Sequence, residues 1–387
     1  MFLGMTLWFS ATAANGAISA EGHLTPAQTA WLTMAVQGGF VAGTLVSALL
    51  NLPDLLNARR LFAAGCVLGA TANGFIVRVD GLVALVCLRA VTGVALAWVY
   101  PPGMKIAAGW VKERRGAALG FVIGALTVGS AFPHLLAALS TRVPWRTLML
   151  AASALALTGG VVVATLVKDG PYSATSARFD PLAAVRVFAV RGTRLATLGY
   201  LGHMWELYAV WTWIAAFASA SFLGVTRTSA PLSSPEGSGI AFVLIASGAI
   251  GSALTGLFAD TLGKARVATW ALLTSGVCCT IAGLLFQASP VLLFAFAVVW
   301  GVAVVADSAQ LSALVAEHTP PEHVGTALTI QLCGGFLLTM VSIRLVPVVA
   351  QAIGWQWVFL CLVPGPFAGA WALRELAVPP ATVRPST

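Results

Sequence analysis

Arg89, His203, Glu206 and Asp307 each combine an ionisable side chain with a position inside a long apolar run. His203 and Glu206 are three residues apart and therefore share one face of a helix. An ionisable side chain inside a membrane is unfavourable, and where one occurs it usually faces a cavity, a partner or a proton path. If the apolar runs are membrane spans, these residues are the first candidates for a functional site.

Two kinds of chemistry fit these residues. In the first, Glu206 or Asp307 takes up and releases a proton, and His203 tunes or relays it. Burial favours the protonated carboxyl and a nearby Arg89 favours the ionised one, so a carboxyl that moves between these influences can couple protons to a solute. In the second, Arg89 binds a carboxylate or another oxyanion of the solute. The purely structural alternative is that Arg89 and Glu206 neutralise each other, with His203 as an internal hydrogen-bonded histidine.

Four further residues are weaker candidates. Gln310 shares a helical face with Asp307, and Asn15 lies in the first apolar run, so both are predicted to line a cavity. Trp205 and Trp213 indicate an apolar or aromatic wall, although tryptophan is also common as an anchor at the membrane interface.

The composition defines the class of protein that positions these residues. Of 387 residues, 59% are hydrophobic and 9% are charged, and the mean hydropathy is +0.91, whereas about a quarter of the residues of a soluble domain are charged. At roughly 20 apolar residues a span, the sequence predicts an all-α membrane protein with about twelve transmembrane helices. The net charge of +8 comes from basic residues scattered between the apolar runs, so no nucleic-acid partner is expected.

The six cysteines all lie in apolar runs, form no C-x-x-C and have no histidine or cysteine at metal spacing. This pattern predicts small buried side chains, with no metal or other cofactor. Neither a nucleophile–base pair nor a metal cluster is evident, so we expect no enzymatic activity.

Twelve spans follow from the hydropathy pattern: residues 1–20, 29–50, 60–79, 82–105, 116–139, 145–167, 195–219, 239–259, 264–287, 290–314, 324–346 and 355–376. A long basic connection, residues 168–194, is predicted to be cytoplasmic and separates an N-terminal half, 1–167, from a C-terminal half, 195–387, which ends in a short cytoplasmic tail. With the N-terminus inside, 15 lysines and arginines fall on the inner side and five on the outer side. This asymmetry predicts cytoplasmic termini, and we expect an integral protein of a bacterial inner membrane.

The two halves carry the same features at a nearly constant separation. Asp54 and Asp260 follow the second and eighth spans and are 206 residues apart, while Gly93 and Gly301, in the fourth and tenth, are 208 apart. A constant offset over six spans indicates a duplicated half, the parallel repeat of many secondary transporters. The sequence therefore predicts two pseudo-symmetric six-helix halves.

The loop after the eighth span resembles a signature of the major facilitator superfamily, G-x-x-x-D-x-x-G-x-[RK]-[RK]. The chain reads Gly256-Leu-Phe-Ala-Asp-Thr-Leu-Gly-Lys-Ala-Arg266 there, so one basic position of the signature is alanine. The loop after the second span is a degraded copy in which Asp54, Arg59 and Arg60 fit and both glycines are replaced. Arg89, followed by Gly four residues on, resembles the second signature of that superfamily.

The resemblance covers nearly the whole chain and implies that spans one, four, seven and ten line a central cavity. Arg89, Glu206 and Asp307 fall on the fourth, seventh and tenth spans. The loop carboxylates at the inner ends of two spans are expected to pair with basic residues or helix N-termini of neighbouring spans and so to latch an inner gate. The residues of these gating loops are Asp54, Arg59, Arg60, Asp260, Gly263, Lys264 and Arg266.

We therefore expect a secondary active transporter, a monomer in the lipid bilayer that moves a small solute by alternating access coupled to protons. No Walker A sequence is present, so ATP drive is unsupported. An organic anion is the favoured solute because Arg89 is the only cation at depth. The alternative is proton-driven efflux of apolar or cationic compounds, and the alternative of another class is a membrane receptor or scaffold without transport.

Overall fold

The computed structural model describes residues 1–113, 115–139, 144–172, 179–227 and 234–377. In these ranges the protein is all-helical, and ten helices are long and apolar enough to cross a membrane. They form spans two to eleven: Pro26–Leu49, Ala58–Arg78, Leu82–Ala108, Gly116–Leu139, Trp145–Thr165, Arg191–Leu223, Pro235–Leu262, Lys264–Leu285, Pro290–His318 and Pro321–Ile353.

The two remaining spans are irregular and lie at the ends of the chain. The first consists of Phe2–Met5, Ser10–Ala13 and Asn15–Gly22, and the twelfth is the shorter helix Val358–Leu373, which begins with a 3-10 segment. The predicted first span, 1–20, is interrupted, because turns replace the helix at residues 6–9. With these two, the chain has the twelve spans that the hydropathy pattern predicts.

The fourth and tenth spans are interrupted at equivalent places. The fourth breaks at Trp98 and Val99, just before two consecutive prolines, and the tenth breaks at Asp307. Proline supplies no N–H donor, and its ring clashes with the carbonyl four residues before it, which accounts for the first break. Val99 and Asp307 are 208 residues apart, the separation of Gly93 and Gly301, so both breaks belong to the repeat.

Glycines set the closest helix contacts at matching positions of the two halves. A Cβ atom on Gly93 would lie 2.1 Å from the carbonyl oxygen of Val36, and one on Gly301 would lie 1.9 Å from that of Leu244. The second span thus packs directly on the fourth, and the eighth on the tenth, as small residues permit in membranes.

Replacing Gly301 with valine is expected to lower the unfolding temperature sharply, because the new side chain meets a backbone carbonyl that cannot rotate away. Overpacking of this kind costs about 3 kcal/mol. Gly334→Val is the matched control, since a Cβ there would lie 4.0 Å from its nearest neighbour, the side chain of Leu201. Thermal unfolding of the two detergent-purified variants measures the difference in stability. Equal unfolding midpoints would contradict the close contact between Gly301 and the carbonyl of Leu244.

The halves meet along two helix pairs, the fifth span with the eighth and the second with the eleventh. Small residues bring the first pair together: the Ser252 hydroxyl donates to the carbonyl of Gly120 at 2.9 Å, and Gly116 faces Gly256. The predicted connection 168–194 contains a short helix, Ala184–Ala189, and the seventh span already begins at Arg191. Residues 378–387 of the predicted C-terminal tail lie outside the described ranges.

Candidate functional site

A chain of three cavities runs between the two halves. The central one, about 60 Å³, is lined by the fourth, fifth, seventh, tenth and eleventh spans. A larger one, about 210 Å³, shares Tyr100, Tyr200 and Ser312 with it and lies toward the predicted cytoplasmic end. A third, about 30 Å³, lies toward the opposite end, where Thr12, Asn15 and Thr212 line it.

His203 and Asp307 meet at the wall of the central cavity. Nδ1 of His203 lies 2.8 Å from Oδ1 of Asp307, and the two side chains are only 3% and 2% exposed. The other ring nitrogen, Nε2, lies 3.1 Å from the hydroxyl of Ser308. Both His203 and Ser308 line the cavity. The imidazole therefore lies between a carboxylate oxygen at ion-pair distance, which forms no hydrogen bond of good geometry, and a hydroxyl.

The break in the tenth span places both partners of this histidine. Asp307 ends the helix Pro290–Ala306 and precedes the helix Ser308–His318, so two adjacent residues can face the seventh span together. In an unbroken helix adjacent side chains point about 100° apart. The interruption therefore lets Asp307 and Ser308 both face His203, an arrangement that apolar periodicity alone does not predict.

Glu206 lies in the interior of the C-terminal half. Its Oε1 accepts hydrogen bonds from the hydroxyl of Ser275, from the thiol of Cys279 at 3.3 Å and from the indole N–H of Trp300 at 2.8 Å. These partners belong to the ninth and tenth spans, and Glu206 is not among the residues that line the central cavity. The structure thus brings together His203 and Asp307, and holds Glu206 on a different set of partners.

Arg89 lies in the interior of the N-terminal half and is fully buried. Each of its three nitrogens donates: Nε to the carbonyl of Leu32 at 3.1 Å, Nη1 to that of Leu7 at 3.1 Å, and Nη2 to that of Trp8. Leu7 and Trp8 lie in the turns that break the first span, where carbonyls lack helical partners. The guanidinium therefore supplies hydrogen-bond donors to the carbonyls of the broken first span. Among the described residues, no ion pair joins Arg89 to Glu206.

The two halves use equivalent polar clusters to tie together their first, third and fourth spans. The N-terminal cluster is Ser10, Asn73 and Arg89, and the C-terminal cluster is Glu206, Cys279 and Trp300. Asn73 and Cys279 are 206 residues apart, like Asp54 and Asp260. The positions of Arg89 and Glu206 are thus explained by helix packing within each half.

Six aromatic side chains separate the central cavity from the outer one; we call them the aromatic layer. They come from the first, second, seventh and eleventh spans: Trp8, Phe9, Phe40, Tyr208, Trp211 and Phe336. Ring centroids are 4.5 Å apart for Phe40 and Phe336, 5.6 Å for Trp8 and Tyr208, and 5.7 Å for Phe9 and Trp211. Each of these pairs joins one half to the other, so the layer closes the path as a gate between them would.

The weaker candidates are distributed over different places. Asn15 lines the outer cavity, and its Oδ1 is buried without a hydrogen-bond partner. Gln310 is buried. The indole N–H of Trp213 donates to the carbonyl of Ile343 at 2.9 Å, while Trp213 also lines the outer cavity. Trp205 donates to Cys361 at 3.1 Å and so anchors the seventh span to the twelfth.

The gating loops form ion pairs that do not join the two halves: one links the N-terminal half to the connection 168–194, and the others lie within the C-terminal half. Arg59 donates to the carboxylate of Asp169 from Nε and Nη2, both at 2.9 Å, and these hydrogen bonds hold the pKa of Asp169 below its ordinary value. Lys264 contacts both Asp260, at 3.3 Å, and Glu317. Gly263 adopts φ +89°, a conformation that favours glycine. Arg60 and Arg266 are exposed, and the side chain of Asp54 lies outside the described residues.

The sequence pattern misses most of the aromatic layer, together with Ser308 and His134. Aromatic residues in apolar spans give no contrast in hydropathy, so their alignment across four spans is invisible until the helices are packed. Ser308 could have been noticed from its position beside Asp307. His134, in the fifth span, is fully buried with its ring centroid 6.4 Å from that of Phe9.

Comparisons with known proteins agree with this architecture. The family model of the Major Facilitator Superfamily matches residues 1–249 and, a second time, residues 229–387. The chain therefore belongs to the major facilitator superfamily of membrane transporters. A crystal structure of the nucleoside transporter NupG, in a variant with one aspartate replaced by alanine, is similar in fold: the TM-score is 0.72 over 97% of each chain, at 16% sequence identity. No curated protein sequence matches the chain.

Proposed function

We propose that this transporter couples the movement of a small solute without negative charge to protons, and that His203 and Asp307 form its proton site. The observation that carries the proposal is the buried His203–Asp307 contact, placed at the break of the tenth span and at the wall of the path between the halves. A buried imidazole–carboxylate pair can hold one proton or release it as its surroundings change. Rocking of the halves changes those surroundings.

The charge of the solute is inferred from the residues that line the three cavities between the halves. None of the described residues that line the three cavities is a lysine or an arginine. The organic-anion interpretation depends on Arg89. Its guanidinium nitrogens donate to carbonyl oxygens of the N-terminal half. An anion would enter a path whose described lining carries neither lysine nor arginine, which is unfavourable away from water. An uncharged or cationic solute with an apolar or aromatic body fits the aromatic walls better.

NupG is a nucleoside transporter by name, but at 16% identity the likeness supports the fold alone. The solute is therefore proposed from the residues of the path. We propose cytoplasmic termini from the charge asymmetry of the loops, and a bacterial inner membrane as the location. The Arg59–Asp169 and Lys264–Glu317 pairs are proposed to brace the ends of each half while the halves rock.

Reconstitution in liposomes tests this function. Labelled solutes of three kinds (uncharged, cationic and anionic) are offered with and without an imposed pH gradient. We expect gradient-driven transport of an uncharged or cationic solute and none of the anions. Transport of anions alone, or transport that ignores the pH gradient, would refute the proposal.

Glu206→Gln is expected to keep pH-gradient-driven accumulation within about twofold of the native level and to lower stability by about 1 kcal/mol. The glutamine oxygen can still accept from Ser275 and Trp300, although without the charge that strengthens those bonds. Accumulation in proteoliposomes and the unfolding midpoint are measured on the same preparation. Loss of accumulation with exchange intact would instead assign the coupling proton to Glu206.

A further inference from the structure

Six buried polar atoms around the aromatic layer have no hydrogen-bond partner among the described residues. They are Nε1 of Trp8, Nε1 of Trp211, both ring nitrogens of His134 and both amide atoms of Gln37. These four residues are between 0% and 2% exposed. Buried polar atoms are nearly always paired, so several unpaired ones in one layer call for an explanation.

The unpaired atoms belong to one place in the fold. The ring of His134 lies 6.4 Å from Phe9, which lies 5.7 Å from Trp211. Trp8 contacts both Phe40 and Tyr208, with centroids 5.0 and 5.6 Å apart. Gln37 is one helical turn before Phe40 and so shares its face. Spans one, two, five and seven thus each bring an unpaired polar group to the layer.

The donors and acceptors of these groups define which hydrogen-bond partner could pair with them. An indole N–H only donates, so Trp8 and Trp211 require acceptors. A neutral imidazole offers one donor and one acceptor, and an amide offers both kinds as well. A partner that satisfies all of them must therefore carry both acceptors and donors. It must also be flat, because the groups are set among aromatic rings that favour stacking.

Two rings of the layer are already arranged for a flat guest. Phe9 and Tyr208 are within 12° of parallel, with centroids 6.1 Å apart. A ring inserted between two others needs about 7 Å, two carbon–carbon contact distances. A small separation of the halves, which carry one ring each, would supply that space.

We propose that His134, with the indole N–H groups of Trp8 and Trp211 and the amide of Gln37, binds the hydrogen-bonding edge of a planar, uncharged heterocycle when the aromatic layer opens. This inference rests on the proposed transport function and adds the class of solute. His134 then distinguishes such a heterocycle from an apolar ring of the same size. Water filling the open layer would satisfy the same atoms without selecting any solute, and the experiment separates the two.

The test measures binding to the full-length protein in nanodiscs. Uridine and adenosine serve as planar heterocycles with polar edges, tetraphenylphosphonium as an apolar aromatic cation and benzoate as an aromatic anion. We expect the native protein to bind at least one heterocycle, and His134→Phe, which keeps the ring but loses the hydrogen bonds, to weaken that binding at least about tenfold. His134→Gln should restore much of the affinity. Binding of tetraphenylphosphonium, if present, should not change.

The inference is overturned if the native protein binds neither heterocycle, or if His134→Phe binds it as tightly as the native protein does. An unfolding midpoint within a few degrees of native shows that His134→Phe is folded, and Ser130→Ala, a change on the same face of the fifth span, is the matched control. The transport proposal fails differently. A protein that binds uridine selectively but moves no protons with it refutes the coupling alone, and one that moves only tetraphenylphosphonium with protons refutes the heterocycle alone.

Discussion

Asp307→Asn is expected to abolish solute accumulation driven by a pH gradient while solute exchange across the membrane continues. With one proton per solute, a gradient of two pH units supports accumulation of about 100-fold, since each pH unit corresponds to a factor of ten. Asp307→Asn should bring the solute to no more than equal concentrations on the two sides of the membrane. Its rate of exchange between labelled and unlabelled solute should stay within a few-fold of native.

The reason lies in the His203–Asp307 contact. Asparagine preserves the size of the side chain and can still bond to the imidazole, so the fold and the cavity wall remain. It cannot be ionised, so the pair loses the carboxylate that is proposed to take part in proton uptake and release. Transport becomes independent of the proton while the path stays open.

Ser308→Ala is the matched control for this variant. The Ser308 hydroxyl contacts the other nitrogen of His203 at 3.1 Å and carries no charge. Its removal should alter the rate of transport and leave accumulation near the native level. If Asp307→Asn accumulated solute as the native protein does, the proton site would have to lie elsewhere.

Arg89→Gln is expected to destabilise the protein strongly, with loss of folded material and no selective loss of solute affinity. The substitution removes the guanidinium donors from the carbonyls of Leu7, Trp8 and Leu32, although Leu7 keeps the hydroxyl of Ser10 as a donor. Each hydrogen bond to a charged group contributes about 1.5–3 kcal/mol, so the total loss is on the order of 4 kcal/mol. The broken first span should be the part that loses its geometry.

Unfolding midpoints and the yield of monodisperse protein measure this effect. Arg78→Gln, at an exposed end of the third span, is the matched control and should behave like the native protein. A well-folded Arg89→Gln protein with weakened binding of an organic anion would contradict the structural role. It would restore the interpretation of Arg89 as a solute-binding cation.

The contrast between Arg89 and Asp307 shows which structural features can be predicted from the sequence and which cannot. Hydropathy, loop charge and the 206–209 residue repeat suffice for twelve spans in two halves, since these depend on summed transfer energies rather than on detail. Depth in the membrane is also predictable, at about 1.5 Å a residue. The direction of a side chain around its helix is not, because small shifts in helix rotation decide whether it faces the path or a neighbouring span.

Backbone breaks account for the remaining differences. Turns at residues 6–9 create the acceptors that engage Arg89, and the interruption at Asp307 turns two adjacent side chains toward His203. Neither break has a proline or glycine at its centre, so the sequence offers no local signal for it. The break before Pro101 does have one, and it could be predicted.

Solute-evoked proton movement tests the central claim most directly. Proteoliposomes that enclose a pH-sensitive dye are given an uncharged or cationic solute gradient with no initial pH difference. The native protein should change the internal pH as the solute moves, and Asp307→Asn should move the solute without any pH change. Solute movement in the native protein without a pH change would contradict the account, as would an undiminished pH change in Asp307→Asn.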